Sequence, residues 1–203
     1  MCGVPRGSAP WMNPRGCLGE ETIHHALKIY GRYREQFLRY YIWQAKWTRV
    51  PAIGGLVRWV ANRYGQTRHA AYLLTPAEAA EVVGLAPDLY VGPCSCRQVF
   101  HNCDHPVEAE IMLGKGHNPF VEGRKGNYRR ITVAEARDVL DAARKRGLVA
   151  TIIKCNEDFY AICNCCTCCC VPMRLRNRYG IGRALGRSPD IVGEFRAWLA
   201  APG

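Results

Sequence analysis

The chain has no apolar run near the roughly 20 residues that a bilayer-spanning helix needs, so no membrane-spanning helix is expected in its 203 residues. It carries no Gly-Lys-Ser/Thr phosphate loop, no flavin or nicotinamide motif, and no Ser/His/Asp arrangement suited to acyl transfer. Met1 to Gly19 lack the apolar segment of a secretory signal, which leads us to expect a cytoplasmic, reducing compartment. Acidic residues are scarce, 17 Asp and Glu against 28 Lys and Arg, for a net charge of +11. Charged residues as a whole are only 22% and hydrophobic ones 48%, the balance of a globular chain with a core.

Cysteine, by contrast, is abundant: twelve in all, six of them in the nine residues 162–170. These are Cys163, Cys165, Cys166, Cys168, Cys169 and Cys170. Cys94, Cys96 and Cys103 form an upstream group, and Cys155 lies between the two. Packing does not explain this density, because Val or Ala fills a core without a reactive sulfur. Thiolates are soft ligands for iron–sulfur clusters, zinc and Cu(I). In a reducing compartment such a set means metal more often than disulfides, and adjacent cysteines are poorly placed to staple distant loops. An extended run would point Cys163, Cys165 and Cys169 one way and Cys166, Cys168 and Cys170 the other. One tetrahedral site cannot use them all, whereas two four-cysteine clusters need eight thiols. Zinc knuckles use paired C-x₂₋₄-C spacings, while successive cysteines here are mostly separated by one residue, none or six. Metallothionein-like Cu(I) chains are short and lack a core. The residues therefore favour iron–sulfur.

The positive charge is uneven. Residues 1–75 hold eleven Lys/Arg against three Asp/Glu (+8), residues 76–170 eleven against twelve (−1), and residues 171–203 six against two (+4). Three parts are expected: a basic helical segment over 1–72, a cysteine-rich metal-binding domain over 73–172, and an Arg-rich linker with a C-terminal helix over 173–203. In the first, Ile23, Ala26, Leu27, Tyr30, Phe37, Leu38 and Tyr41 recur at helical spacing until Pro51. Trp43, Trp47 and Trp59 lie there among basic residues, either as a membrane-surface face or, preferably, as the buried stripe of an ordinary helix. Thr75-Pro76-Ala77-Glu78 and Thr132-Val133-Ala134-Glu135 are capping boxes. Each opens a helix followed by a short apolar run that enters a cysteine, Cys94 or Cys155. The fold class expected is α+β, with two helix–strand–cysteine units converging on a metal site. Pro106 to Leu113 reads as a short helix, and Gly114 to Arg130 as a loop.

Val91-Gly92-Pro93-Cys94-Ser95-Cys96-Arg97, Cys103-Asp104-His105-Pro106-Val107-Glu108 and Ile162-Cys163-Asn164-Cys165-Cys166-Thr167-Cys168-Cys169 together resemble a family of 4Fe-4S ferredoxin-type iron–sulfur binding proteins. The likeness covers roughly residues 50–172. It implies one or two [4Fe-4S] clusters and electron transfer to a redox partner. A small-molecule reductase with an open iron site and a zinc-stabilised interaction module are the alternatives. Relatives tend to place a further cysteine shortly after the P-x-E segment, where this chain has Glu110. Glu110 is read either as a harder ligand or, preferably, as a surface residue with no ligand role. Arg97 and Lys154 are candidates to offset cluster charge. Residues 1–75 are expected to meet an acidic protein or the anionic inner face of a membrane, and nucleic acid is not an expected partner.

Overall fold

A computed structural model describes residues 28–67, 69–116, 118–124, 127–155 and 158–201. Ile23, Ala26 and Leu27 of the expected first helix lie outside these residues. Residues 28–32 are helical and lead into Arg34–Lys46 (α1). There follow Gly54–Thr67 (α2), His69–Leu73 (β1), Pro76–Leu85 (α3), Asp88–Pro93 (β2), Ser95–Phe100 (α4), Glu108–Gly114 (β3) and Pro119–Gly123 (α5). Then come Arg129–Arg130 (β4), Val133–Lys145 (α6), Val149–Cys155 (β5), Asp158–Cys165 (β6), Val171–Tyr179 (α7), Leu185–Gly186 (β7) and Ile191–Ala200 (α8). No helix among the described residues is long and apolar enough to cross a membrane.

The strands form one seven-stranded sheet in the order β4-β2-β3-β6-β5-β1-β7. Neighbours are antiparallel except β1 and β7, which are parallel. The class is mixed α and β, as α+β requires. The sheet takes strands from residue 69 to residue 186, on either side of both expected domain boundaries.

Both capping boxes form. Thr75 and Thr132 accept the N–H of Glu78 and Glu135, whose carboxylates return to the cap N–H. The helices they open, α3 and α6, pack with α8 on one sheet face around Val82, Ile111, Ile152, Ile162 and Phe195. Phe195 and Trp198 hold α8 down, with ring centroids 5.5 and 5.9 Å from Phe159.

The other face carries Met112, Ala161, Cys163 and Cys165, with Met173 of α7 and Tyr30 packed against it. Leu38, Ile42 and Ala45 form the buried stripe of α1, spaced as one helix face demands. The tryptophans do not belong to it: Trp43 and Trp59 are 53% and 66% exposed, and Trp47 is exposed as well. The expected buried aromatic stripe is thus corrected, because the small and aliphatic residues of α1 take the inner positions.

Three further expectations change. Residues 108–114 are a strand, not a helix, since Ala109, Ile111 and Leu113 alternate with Glu110 and Met112 between two neighbours that need a partner. Part of 114–130 is ordered into α5 and β4. The expected Arg-rich linker begins inside a helix, α7, where Arg174 is buried and lies 4.4 Å over the Phe100 ring.

Candidate metal centre

Topology decides which cysteines meet. β2 and β6 both pair antiparallel with β3, so they run parallel to each other and end at the same edge of the sheet. Cys94 follows the end of β2, and Cys163 and Cys165 sit in the last residues of β6. β5 runs the opposite way, pairing Val149 with Cys165 and Cys155 with Asp158. Cys155 is therefore about 20 Å from that edge at strand spacing. It joins neither cysteine group. Burial first, then the nearby Asp158 carboxylate, push its thiol up to about 11, against the lowering effect of Arg34. Thus the second helix–strand–cysteine unit delivers its cysteine to the far end, and the hairpin β5–β6 brings the later cysteines to the site instead.

Alternation then sorts the thiols. Cys163 and Cys165 point to the face beneath α1. The chain turns through Thr167 to Cys169, where the N–H of Cys170 bonds to the Cys166 carbonyl at 3.2 Å. That turn reverses the expected assignment of the last two cysteines: Cys169 joins Cys166 and Cys168, and Cys170, which precedes α7, returns to the Cys163 side.

The outer group is Cys103, Cys166, Cys168 and Cys169, whose sulfurs all lie within 4.8 Å of one another. Cys103 Sγ is 3.7 Å from Cys166 Sγ and 3.5 Å from Cys169 Sγ. The backbone N–H of Asn102 donates to Cys169 Sγ at 3.3 Å, and that of Cys169 to Cys166 Sγ at 3.4 Å. These four thiols can hold a metal ion. Burial opposes ionisation of Cys166, but the Cys169 N–H, the Cys168 thiol and Arg97 bring it down to about 7. Cys168 and Cys169 are pushed up to about 12 and about 11, each mainly by burial.

The inner group is Cys94, Cys96, Cys163, Cys165 and Cys170. Cys94 and Cys96 are in hydrogen-bonding contact, and Cys165 accepts from Cys163 and Cys170. Those two contacts and the Thr151 hydroxyl, 3.2 Å away, hold Cys165 well below the usual thiol range despite its burial. The same hydrogen bonds, with burial, push Cys94, Cys163 and Cys170 up. The inner sulfurs line the floor of a cavity of about 660 Å³.

Glu110 belongs to this inner group. It is 1% exposed, opposite Cys163 in the β3–β6 register. Its carboxylate accepts from the Cys163 thiol at 3.3 Å and the Tyr128 hydroxyl at 3.0 Å, and lies 3.5 Å from Arg34 Nη2. The preferred surface reading of Glu110 is overturned, because a strand at this register puts its side chain under α1.

Arg97 is 2% exposed, and its guanidinium joins the segment before β3 to β6 by donating to the Pro106 and Asn164 carbonyls, both at 2.6 Å. It also contacts Cys166. Lys154 instead lies on β5 and pairs with Glu194 of α8 at 3.4 Å, away from the thiols. Asn102, Thr151 and Arg34 also bear on the site and are not among the residues that the sequence singles out. Only Thr151 left a sequence signal, its place in the alternation of a strand bound to pair with β6.

Fit differs between the groups. Thiolates around one tetrahedral ion at about 2.3 Å stand roughly 3.8 Å apart, the spacing of the outer group. The inner thiols pair by hydrogen bonds, Cys94 with Cys96 and Cys165 with Cys163 and Cys170, and with the Glu110 carboxylate they line the cavity floor. Comparison with protein-family models, curated proteins and solved structures finds no match.

Proposed function

We propose that this protein is an iron–sulfur protein of electron transfer, with the inner and outer cysteine groups as its two metal sites. The reading rests on one observation above all: nine thiols gather at one end of the sheet, four in the outer group and five in the inner, more than one tetrahedral ion can use. Iron–sulfur centres accept and release single electrons when bound. The chain's contribution is to hold thiolates and tune them. The N–H groups of Asn102 and Cys169, the Thr151 hydroxyl and the Arg97 guanidinium all bear on sulfur, and donors of this kind raise a cluster's potential. Arg97 also places positive charge next to Cys166, which offsets part of the negative charge that four thiolates bring.

The test is iron, zinc and acid-labile sulfide content after anaerobic purification, in the full chain and in Cys163→Ser and Cys168→Ser. Iron with sulfide, lowered separately by each variant, supports two iron–sulfur sites. Zinc without sulfide, lost only in Cys168→Ser, supports a second reading that the 3.5–3.7 Å outer spacings favour: a structural zinc ion at Cys103, Cys166, Cys168 and Cys169.

We also propose that α1 and α2 dock on an anionic membrane surface. Trp43, Trp47, Leu56 and Trp59 are exposed there among Lys46, Arg49, Arg58 and Arg63. Flotation with anionic vesicles should weaken with salt, as the Debye length shrinks from about 10 Å at 0.1 M. Equal flotation with neutral vesicles refutes the electrostatic part.

A further inference from the structure

The 660 Å³ cavity is larger than a metal site requires. It falls within the roughly 300–1,000 Å³ of pockets that take small organic molecules. Its floor is the inner thiol group. Its walls are side chains of α1 and α2, with Phe37, Tyr41, Val57, Val60 and Tyr64 among them. Phe37 stacks on Tyr41 at 6.4 Å, and the Tyr41 hydroxyl meets that of Tyr64 at 3.4 Å. The wall is thus a set of aromatic faces whose polar ends are turned to each other.

Two observations define the occupant. First, Arg34 and Glu110 are the charged side chains that line the cavity, and they pair with each other. The Cys165 sulfur, also held toward its charged form on the floor, already accepts from Cys163, Cys170 and Thr151, so neither an anion nor a cation would find an uncompensated counter-charge there. Second, Ser95 lines the cavity, is 1% exposed, and its hydroxyl has no hydrogen-bond partner. A buried hydroxyl left unpaired is costly, and a ligand that accepts from it removes the cost.

We propose that this cavity binds a neutral, largely aromatic molecule with a carbonyl-type acceptor, its rings between α1 and α2 and its acceptor on the Ser95 hydroxyl. The site stands on the chamber and on Ser95 and needs no metal, so it is independent of the iron–sulfur reading. If that reading holds as well, the molecule lies directly against the inner group.

Benzophenone is a suitable probe. It is neutral and aromatic, bears one carbonyl, does not react with thiols in the dark, and inserts into nearby C–H bonds under light. The full chain, as purified and after chelation, is titrated with benzophenone by equilibrium dialysis, then irradiated and mapped by peptide mass spectrometry. Saturable binding with labels in residues 34–46 and 54–67 is expected in both preparations. Ser95→Ala should weaken binding about five- to tenfold, the worth of one neutral hydrogen bond. The same variant, free of ligand, should be as stable as the parent or more so, because it removes an unpaired buried hydroxyl. Ala61→Phe, which fills the chamber from α2, should abolish saturable labelling. Unchanged affinity in Ser95→Ala overturns the proposal, and so does labelling that is diffuse or confined to residues outside the cavity walls.

Discussion

Replacing Glu110 by methionine tests the buried side of the site most directly. The Glu110 carboxylate is 1% exposed and lies 3.5 Å from Arg34, which is 5% exposed. Arg34 also donates to the Tyr160 hydroxyl at 3.0 Å and sits 4.8 Å from the centre of the Tyr30 ring. Removing one partner of a buried pair costs about 3–5 kcal/mol, because the other charge stays desolvated. The Tyr160 and Tyr30 contacts of Arg34 offset part of that. For the metal-free protein we expect Glu110→Met to cost about 3 kcal/mol, and Arg34→Met a similar amount. The double variant leaves no stranded charge, and apolar replacement of a buried pair is often neutral; its remaining cost is the three hydrogen bonds it removes, Arg34 to Tyr160, and Tyr128 and Cys163 to Glu110, about 3 kcal/mol together. The double-mutant cycle should therefore show a coupling of about 3 kcal/mol. Urea unfolding under reductant at pH 7, followed by two probes, measures it. Additive costs near 6 kcal/mol would refute the reasoning, since they would mean that the two charges do not compensate each other.

Arg97→Lys cannot bridge the Pro106 and Asn164 carbonyls, and it weakens the support of the Cys166 thiolate. The midpoint of Cys166 alkylation by iodoacetamide in metal-free protein should rise from about 7, and an unmoved midpoint refutes the role given to Arg97. Burial first, and the Arg34 charge second, hold the His69 imidazole down to about 3, against an ordinary 6.5. Between those values the unfolded chain binds the proton and the folded one does not, so stability rises with pH across that window and is lost as pH falls through it. His69→Phe should flatten this part of the stability profile, and an unchanged slope assigns it elsewhere. Chelation should remove hydrogen-exchange protection from residues 94–106 and 166–170 while α3, α6 and the paired strands β5 and β6 keep theirs. Equal protection with and without metal would show that packing alone orders the cysteine segments.

The parts of the fold legible in the sequence are those fixed by local chemistry. The two capping boxes, Pro51 as a helix stop, and the strands before Cys94 and Cys155 need only neighbouring residues to be read. Residues 108–114 misled because Pro106 next to a short apolar run fits a helix start as well as a strand. Its two strand partners decide the matter, and they are remote in sequence. The same holds for Glu110: polar in sequence, it is buried because Arg34, 76 positions earlier, and Tyr128 meet it. Cys155 is close to the others in sequence, and only the direction of β5 separates it from them. Ser95 left no signal beyond standing between two cysteines.

The division of the cysteines has a single structural cause. Cys165 and Cys166 are neighbours, so one peptide bond, about 3.8 Å between Cα atoms, separates the inner group from the outer. The pleat turns Cys163 and Cys165 inward, and the end of β6 turns Cys166 outward. The turn over Thr167 then brings Cys168 and Cys169 to Cys103 before Cys170 returns inward at the start of α7. Cys103 and Cys168 are half-buried at the surface, Cys165 and Cys170 are buried behind them, and the cavity lies beyond. Under the proposed reading this is a line from protein surface to ligand chamber, with thiols at each stage and no wide gap between them. An added residue between Cys163 and Cys165 would break it by putting one of these two thiols on the opposite face. The spacing C-x-C followed at once by cysteine is therefore what this arrangement needs.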